Sequence, residues 1–138
     1  LKSISTMKKT DVWIYRIVTL LFTLLIAFGA IMYFVQYEMI SETILKLGFP
    51  TFIIYPLAIL KIAGLIAIWT NKFQMLKEWA YAGFVFELLL AIGAHINAND
   101  GEYFGALIAL ILVIVSYIYN RKLFNTYSQK NTKSKDMI

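Results

Sequence analysis

Three ionisable residues lie deep inside apolar segments of the chain: Lys61, Glu87 and His95. A charged side chain at the centre of a bilayer costs about 2.5–3.5 kcal/mol on insertion scales, so such residues tend to face the interior of a helix bundle and to pair. An ammonium and a carboxylate at one depth can form an ion pair, bind the head group of a ligand or pass a proton. We therefore treat these three residues as the candidate ligand-binding site.

The segments that carry these residues are long enough to cross a membrane. The chain has 138 residues, of which 60% are hydrophobic and 15% are charged. A spanning helix needs about 20 mostly apolar residues, and four runs meet that length. The sequence predicts an all-α, antiparallel four-helix transmembrane domain over residues 12–122, between a segment at 1–11 and a basic tail at 123–138. The predicted spans are 12–35, 51–70, 79–98 and 103–119.

Lys61 and Glu87 occupy the middle of the second and third predicted spans. The connection between these spans is short, which favours neighbouring antiparallel helices and an ion pair near the midplane. Two interpretations stay open. The pair fixes the register of two helices, as buried polar pairs can do at some cost in stability, or it forms the polar floor of a pocket.

His95 lies eight residues beyond Glu87, which on a helix is about 12 Å. It can line the same cavity toward the outer face. A single histidine without carboxylates at metal spacing gives no reason to predict a metal site, and the chain has no cysteine. No catalytic residue is predicted, because motifs for hydrolysis or phosphate binding are absent from the sequence. The inner half of the bundle is expected to be apolar apart from Arg16.

Basic residues flanking the spans predict the orientation of the bundle. Ten lysines and arginines fall in the N-terminal segment, the second connection and the tail, whereas the other two connections have only Lys46. Cytoplasmic segments carry this excess, so both termini are predicted to be cytoplasmic, and the basic charge does not indicate nucleic-acid binding. Tyr33 and Tyr103 mark the outer boundary.

The first connection and the tail have their own patterns. Ile40, Ile44 and Leu47 follow a helical spacing, which predicts a short amphipathic helix on the outer surface, ended by Gly48 and Pro50. The polar tail from residue 125 onward shows no hydrophobic period and is expected to be disordered.

Several short motifs resemble those of the DoxX-like family of small bacterial membrane proteins, over residues 12–119. The resemblance implies a multi-pass bundle in the bacterial cytoplasmic (inner) membrane, with Lys61, Glu87 and His95 at recurrent polar positions, although many relatives carry aspartate in place of Glu87. The motifs are Leu47-Gly48-Phe49-Pro50, Lys61-Ile62-Ala63-Gly64 and Lys77-Glu78-Trp79-Ala80-Tyr81-Ala82-Gly83-Phe84, together with Glu87, His95 and Asp100.

Three functions are compatible with this pattern. The first is an accessory subunit whose intramembrane pocket binds a small ligand such as a quinone or a lipid. The second is a structural or chaperone-like partner of another membrane protein, or a homo-oligomer. The third follows from the family's name, which comes from a subunit of a thiosulfate:quinone oxidoreductase. Without cysteine, a partner or a bound cofactor would have to supply that redox chemistry.

Overall fold

A computed structural model describes the backbone of residues 2–137 and the side chains of residues 9–124 and 131–137. Helix accounts for 89% of the chain, and no strand occurs in the described part. A single 3₁₀ turn, Thr51–Ile53, leads into the third helix. The α-helices are α1 (Lys2–Val35), α2 (Tyr37–Lys46), α3 (Ile54–Trp69), α4 (Gln74–Ala98) and α5 (Tyr103–Asp136).

Four segments are long and apolar enough to cross a membrane, as the sequence predicts. Helices suit this environment because each satisfies its backbone hydrogen bonds internally, where no water is available. The segments are Lys9–Val35, Thr51–Trp69, Gln74–Ala98 and Tyr103–Phe124.

The four spanning helices form a closed ring, in which α1 packs on α3 and α5, and α4 packs on the same two helices. Phe22 and Phe84 lie at the centre, with ring centroids 6.2 Å apart. Gly64 on α3 makes room for this core, because a Cβ at that position would lie 2.8 Å from Cζ of Phe84. The glycine therefore serves close packing between α3 and α4.

Helix α2 forms within the connection for which the sequence predicts an amphipathic helix. Its Ile44 is buried, and Ile40 is half-buried. The helix ends where Gly48 adopts a φ of +89°, and the N–H of Phe49 then donates to the carbonyl of Ile44 at 3.0 Å. A left-handed glycine with this backward hydrogen bond is a common helix ending. It directs the chain from α2 back toward α3.

The helix bounds differ from the predicted spans at two places. Helix α4 begins at Gln74 rather than at residue 79, which brings Lys77 and Glu78 into the helix. Helix α5 continues to Asp136, so its backbone is helical where the sequence predicts a disordered tail. No glycine or proline follows Gly105, so nothing in the sequence interrupts the helix. The side chains of residues 125–130 lie outside the described part.

Candidate functional site

Lys61, Glu87 and Tyr33 meet between three helices. Nζ of Lys61 on α3 lies 3.0 Å from Oε1 of Glu87 on α4. The same ammonium donates a hydrogen bond to the hydroxyl of Tyr33 on α1 at 3.3 Å and lies 4.3 Å from the centroid of its ring. The side chains of Lys61 and Glu87 are 11% and 23% exposed, so most of the ion pair is shielded.

Tyr33 has a role that the sequence did not indicate. Its position near the end of the first span suggested only an aromatic boundary of the membrane. In the fold its hydroxyl turns to Lys61 and supplies a second acceptor for the ammonium. No signal in the sequence identifies this contact, because Tyr33 lies near the end of its predicted span whereas Lys61 lies in the middle of another.

A cavity of about 190 Å³ lies between α2 and the second half of α4. Its polar lining residues are Tyr33, Thr43, Glu87 and His95, and its other walls are apolar. We call it the α2 cavity. Lys61 is not among the lining residues and reaches the cavity only through its contact with Glu87. The apolar walls include Ile40, Ile44, Leu47, Phe49, Leu57 and Leu90.

His95 is held by the connection between α4 and α5. Asn99 adopts a left-handed conformation with a φ of +52°, which ends α4 and turns the chain back. Oδ2 of Asp100 then lies 2.7 Å from Nδ1 of His95. The backbone N–H of Glu102 donates to Oδ1 of Asp100 at 2.9 Å. This N–H, with the contact to His95, holds the pKa of the exposed Asp100 carboxyl below its ordinary value.

The same connection contains a group of possible metal ligands, although the sequence suggested no carboxylate near His95. Donor atoms of His95, Asp100 and Glu102 lie within 4.8 Å of one another. One nitrogen and two carboxylates are donors that divalent cations accept. Both oxygens of Asp100 already accept hydrogen bonds inside the group. These contacts fix the imidazole of His95 at the end of α4.

The other half of the bundle is not apolar, contrary to the expectation from the sequence. Thr19, Tyr81 and Ser116 are buried there on α1, α4 and α5. Oγ of Ser116 lies 2.7 Å from Oγ1 of Thr19 and 2.7 Å from the hydroxyl of Tyr81. We call these three residues the hydroxyl layer. Such hydrogen bonds satisfy polar groups that would otherwise face an apolar interior.

Lys77 lies one turn before Tyr81 on α4 and is only 2% exposed. Its Nζ donates to Oδ1 of Asn71 at 2.9 Å and lies 5.2 Å from the centroid of the Tyr15 ring. In the sequence this lysine counts toward the basic charge of a connection and begins a family motif, and neither feature indicates burial. Its spacing with Tyr81, Phe84 and Leu88, all buried, is the helical period that could have identified it as interior.

Comparisons with known proteins agree with this architecture. No curated protein and no solved structure matches the chain significantly. The sequence pattern of the DoxX-like family matches residues 17–118, a range that includes Lys61, Glu87 and His95. The match covers most of the chain and confirms the resemblance found in its motifs. With four helices suited to a bilayer, this chain is a multi-pass membrane protein that belongs to the DoxX-like family.

Proposed function

We propose that the protein is an accessory membrane subunit that binds the head group of a small amphipathic molecule, such as a quinone or a lipid, in the α2 cavity. The observation that carries this proposal is a mostly apolar cavity with an ion-paired carboxylate, Glu87, and a fixed histidine, His95, on its lining. Ligand sites commonly combine apolar walls with a few convergent polar groups.

The proposal includes an antiparallel bundle in the bacterial cytoplasmic membrane with both termini in the cytoplasm. The excess of basic residues in three of the five non-spanning segments supports this orientation. Contacts between neighbouring helices support the antiparallel order, because residue numbers rise on one helix as they fall on the next. These contacts are Tyr33 with Lys61 and Thr23 with Trp69, then Tyr81 with Ser116 and Glu78 with Arg121.

The size of the α2 cavity limits what it can hold. Its volume of about 190 Å³ lies below the range of roughly 300–1,000 Å³ that is usual for pockets of drug-sized ligands. A single ring or a compact head group fits this space, whereas a complete lipid does not. The tail of the ligand would then lie along the apolar helix surfaces, which is the reason for proposing an amphipathic molecule.

The polar groups divide the task of holding that head group. One carboxylate oxygen of Glu87 pairs with Lys61, which leaves the second oxygen as an acceptor for a ligand hydroxyl. Nδ1 of His95 donates to Asp100, so Nε2 of the neutral imidazole remains as an acceptor for a ligand hydroxyl. Asp100 acts as a positioning residue, because it orients the imidazole without lining the cavity.

The test replaces Glu87 with glutamine in the full chain, purified in a neutral detergent. The probes are a short-tailed ubiquinol and a short-chain diacylglycerol, which both carry a hydroxyl that Glu87 can accept from and no phosphate, each titrated by calorimetry. Glu87→Gln keeps an acceptor for Lys61 but loses the carboxylate, so we expect about tenfold weaker binding of the probe that binds the parent. Glu78→Gln is the matched control, since Glu78 pairs with Arg121 at the other end of the bundle. The Glu78→Gln variant should bind the probe with the same affinity as the parent.

Equal affinity in Glu87→Gln and the parent would contradict a head-group site at this carboxylate. Failure of both probes to bind the parent would also remove the proposal, and the ion pair would then serve only the packing of α3 against α4. The structural-partner and oxidoreductase-subunit functions stay predictions from the sequence.

A further inference from the structure

The motif at residues 77–84 contributes nothing to the α2 cavity, yet its buried face carries an unusual lysine. Lys77 and Tyr81 are each 2% exposed, and Phe84 is 3% exposed. An ammonium at that depth is normally paired with a carboxylate. Among the described side chains, Lys77 has only a neutral acceptor, Oδ1 of Asn71, and the face of the Tyr15 ring.

Two further buried hydrogen-bond donors, one on α4 and one on α5, lack acceptors among the described residues. Asn120 on α5 is 6% exposed, and its Nδ2 is buried without a partner in the described part of the chain. Nε2 of Gln74 is buried and likewise has no described partner. Leaving a buried donor without an acceptor costs about 1–3 kcal/mol. These three positions therefore present an ammonium and two N–H groups for which the described residues provide no carboxylate partner.

The packing of α4 against α5 places these groups at one level. Tyr81 contacts Ser116, and Glu78 contacts Arg121. Lys77 lies one turn before Tyr81 on α4, and Asn120 lies one turn after Ser116 on α5. Because these two helices run in opposite directions here, Lys77 and Asn120 are at a similar level. Gln74 precedes Lys77 by three residues and shares its helix face. The donors thus lie on the side of the hydroxyl layer away from the α2 cavity.

We propose that Lys77, Asn120 and Gln74 form a second site, which binds the phosphate group of an anionic ligand entering from the proposed cytoplasmic side. Unprotonated phosphate oxygens accept hydrogen bonds, so a phosphate group can serve as the acceptor for these donors and neutralise the ammonium. The ligand is either a free phosphate compound or the head group of a lipid in the inner leaflet. This site is independent of the ligand in the α2 cavity.

The connection between α3 and α4 provides the entrance. Asn71 is exposed, although its Oδ1 accepts the hydrogen bond from the buried Lys77. A phosphate oxygen replaces this neutral acceptor when the exposed side chain swings outward. The adjacent Lys72 is also exposed and increases the local concentration of anions.

The experiment measures binding of inorganic phosphate and of short-chain phosphatidylglycerol to the full chain in a neutral detergent, with the matching diacylglycerol as a blank. We expect one of the two phosphate probes to bind the parent and the diacylglycerol not to compete. Lys77→Met should weaken that binding about tenfold or more, since it removes a charge-assisted hydrogen bond. Asn120→Leu should weaken it about threefold without any change in net charge.

Lys72→Met is the matched control, because it removes the same charge from an exposed neighbour of Asn71. Its affinity should stay within about twofold of the parent. Three results would overturn the proposal. The first is that Lys72→Met weakens the binding as much as Lys77→Met does. The second is that Lys77→Met and Asn120→Leu both keep wild-type affinity, and the third is that neither phosphate probe binds. If Lys77→Met does not fold, Asn120→Leu decides. Glu87→Gln should retain phosphate binding, so this test and that of the α2 cavity can fail separately.

Discussion

Lys61 and Lys77 are two lysines inside the same bundle, and they are stabilised in different ways. Lys61 has a carboxylate 3.0 Å away, so its charge is balanced within the protein. Lys77 is buried more deeply, and among the described side chains it contacts only the amide oxygen of Asn71, at 2.9 Å, and the ring of Tyr15. An ammonium that leaves water must recover its solvation from a counter-charge. The first lysine has its counter-charge in the chain, whereas the described part of the chain offers the second none, in line with the proposed anion site.

An aromatic layer separates the two regions. On α4, Phe84 lies three residues before Glu87 of the α2 cavity and three residues after Tyr81 of the hydroxyl layer. Its ring fills the space opposite Gly64. Phe22 completes the layer from α1. Changes in one region should therefore add to changes in the other with little coupling. This independence allows the comparison to be tested with single substitutions.

The largest expected effect is that of Lys61→Met. The substitution leaves Glu87 as a largely buried carboxylate without its partner, and breaking a buried ion pair in this way typically costs about 3 kcal/mol or more. We expect the free energy of unfolding in detergent micelles to fall by about that amount. Denaturant titration monitored by circular dichroism measures it.

Two further variants sharpen this prediction. Lys61→Met combined with Glu87→Leu removes both charges and should recover most of the lost stability, since a buried pair is often replaceable by apolar residues. Lys77→Met removes a charge that has no carboxylate partner among the described residues, so in neutral detergent it should change stability by only about 1 kcal/mol. A loss in Lys77→Met as large as that in Lys61→Met would show that the two lysines do not differ as described.

The fold and the Lys61–Glu87 contact could be anticipated because both follow from the hydrophobicity of whole segments and not from local geometry. Four apolar runs leave a membrane bundle as the main solution, and two charges in mid-run must avoid lipid. Their short connection makes α3 and α4 neighbours. Two opposite charges at similar depth on neighbouring helices can meet as an ion pair, and Lys61 and Glu87 lie 3.0 Å apart.

Other parts of the two regions depend on local geometry that the sequence did not reveal. Lys77 stands at the end of an apolar run, where a lysine ordinarily serves orientation, and only the earlier start of α4 makes it interior. Ser116 and Thr19 are too weakly polar to stand out in an apolar helix. The contact between Asp100 and His95 requires the left-handed conformation of Asn99, which follows from the chain reversal after α4.

An intermediate effect is expected for Ser116→Ala in the hydroxyl layer. The change deprives both Thr19 and Tyr81 of their shared partner without altering charge. Hydrogen bonds between helices in membranes contribute modestly, so the loss should be about 1 kcal/mol in the free energy of unfolding. Thr43→Ala is the control, because its exposed hydroxyl donates to its own helix at Met39, and no measurable change is expected. A zero effect for Ser116→Ala would mean that the layer contributes nothing to stability.

The smallest effect concerns the Asp100 carboxyl near the α2 cavity. Its pKa is lowered first by the backbone N–H of Glu102 and then by His95. A carboxyl whose folded pKa is depressed contributes stability above its unfolded pKa and loses that contribution as pH falls through the folded pKa. We therefore expect Asp100 to titrate below the ordinary value of about 3.9. Carbon-13 chemical shifts of the labelled carboxyl in micelles measure the midpoint.

His95→Leu tests which contact dominates that titration. The variant keeps the Glu102 N–H, so the pKa of Asp100 should rise only part of the way toward its ordinary value. Full return to that value would make His95 the main cause. In that case the imidazole and Asp100 would act as one charge-coupled unit at the cavity, comparable to the pair of Lys61 with Glu87. A partial rise leaves Asp100 fixed by the backbone, so that it orients His95 whether or not a ligand is bound.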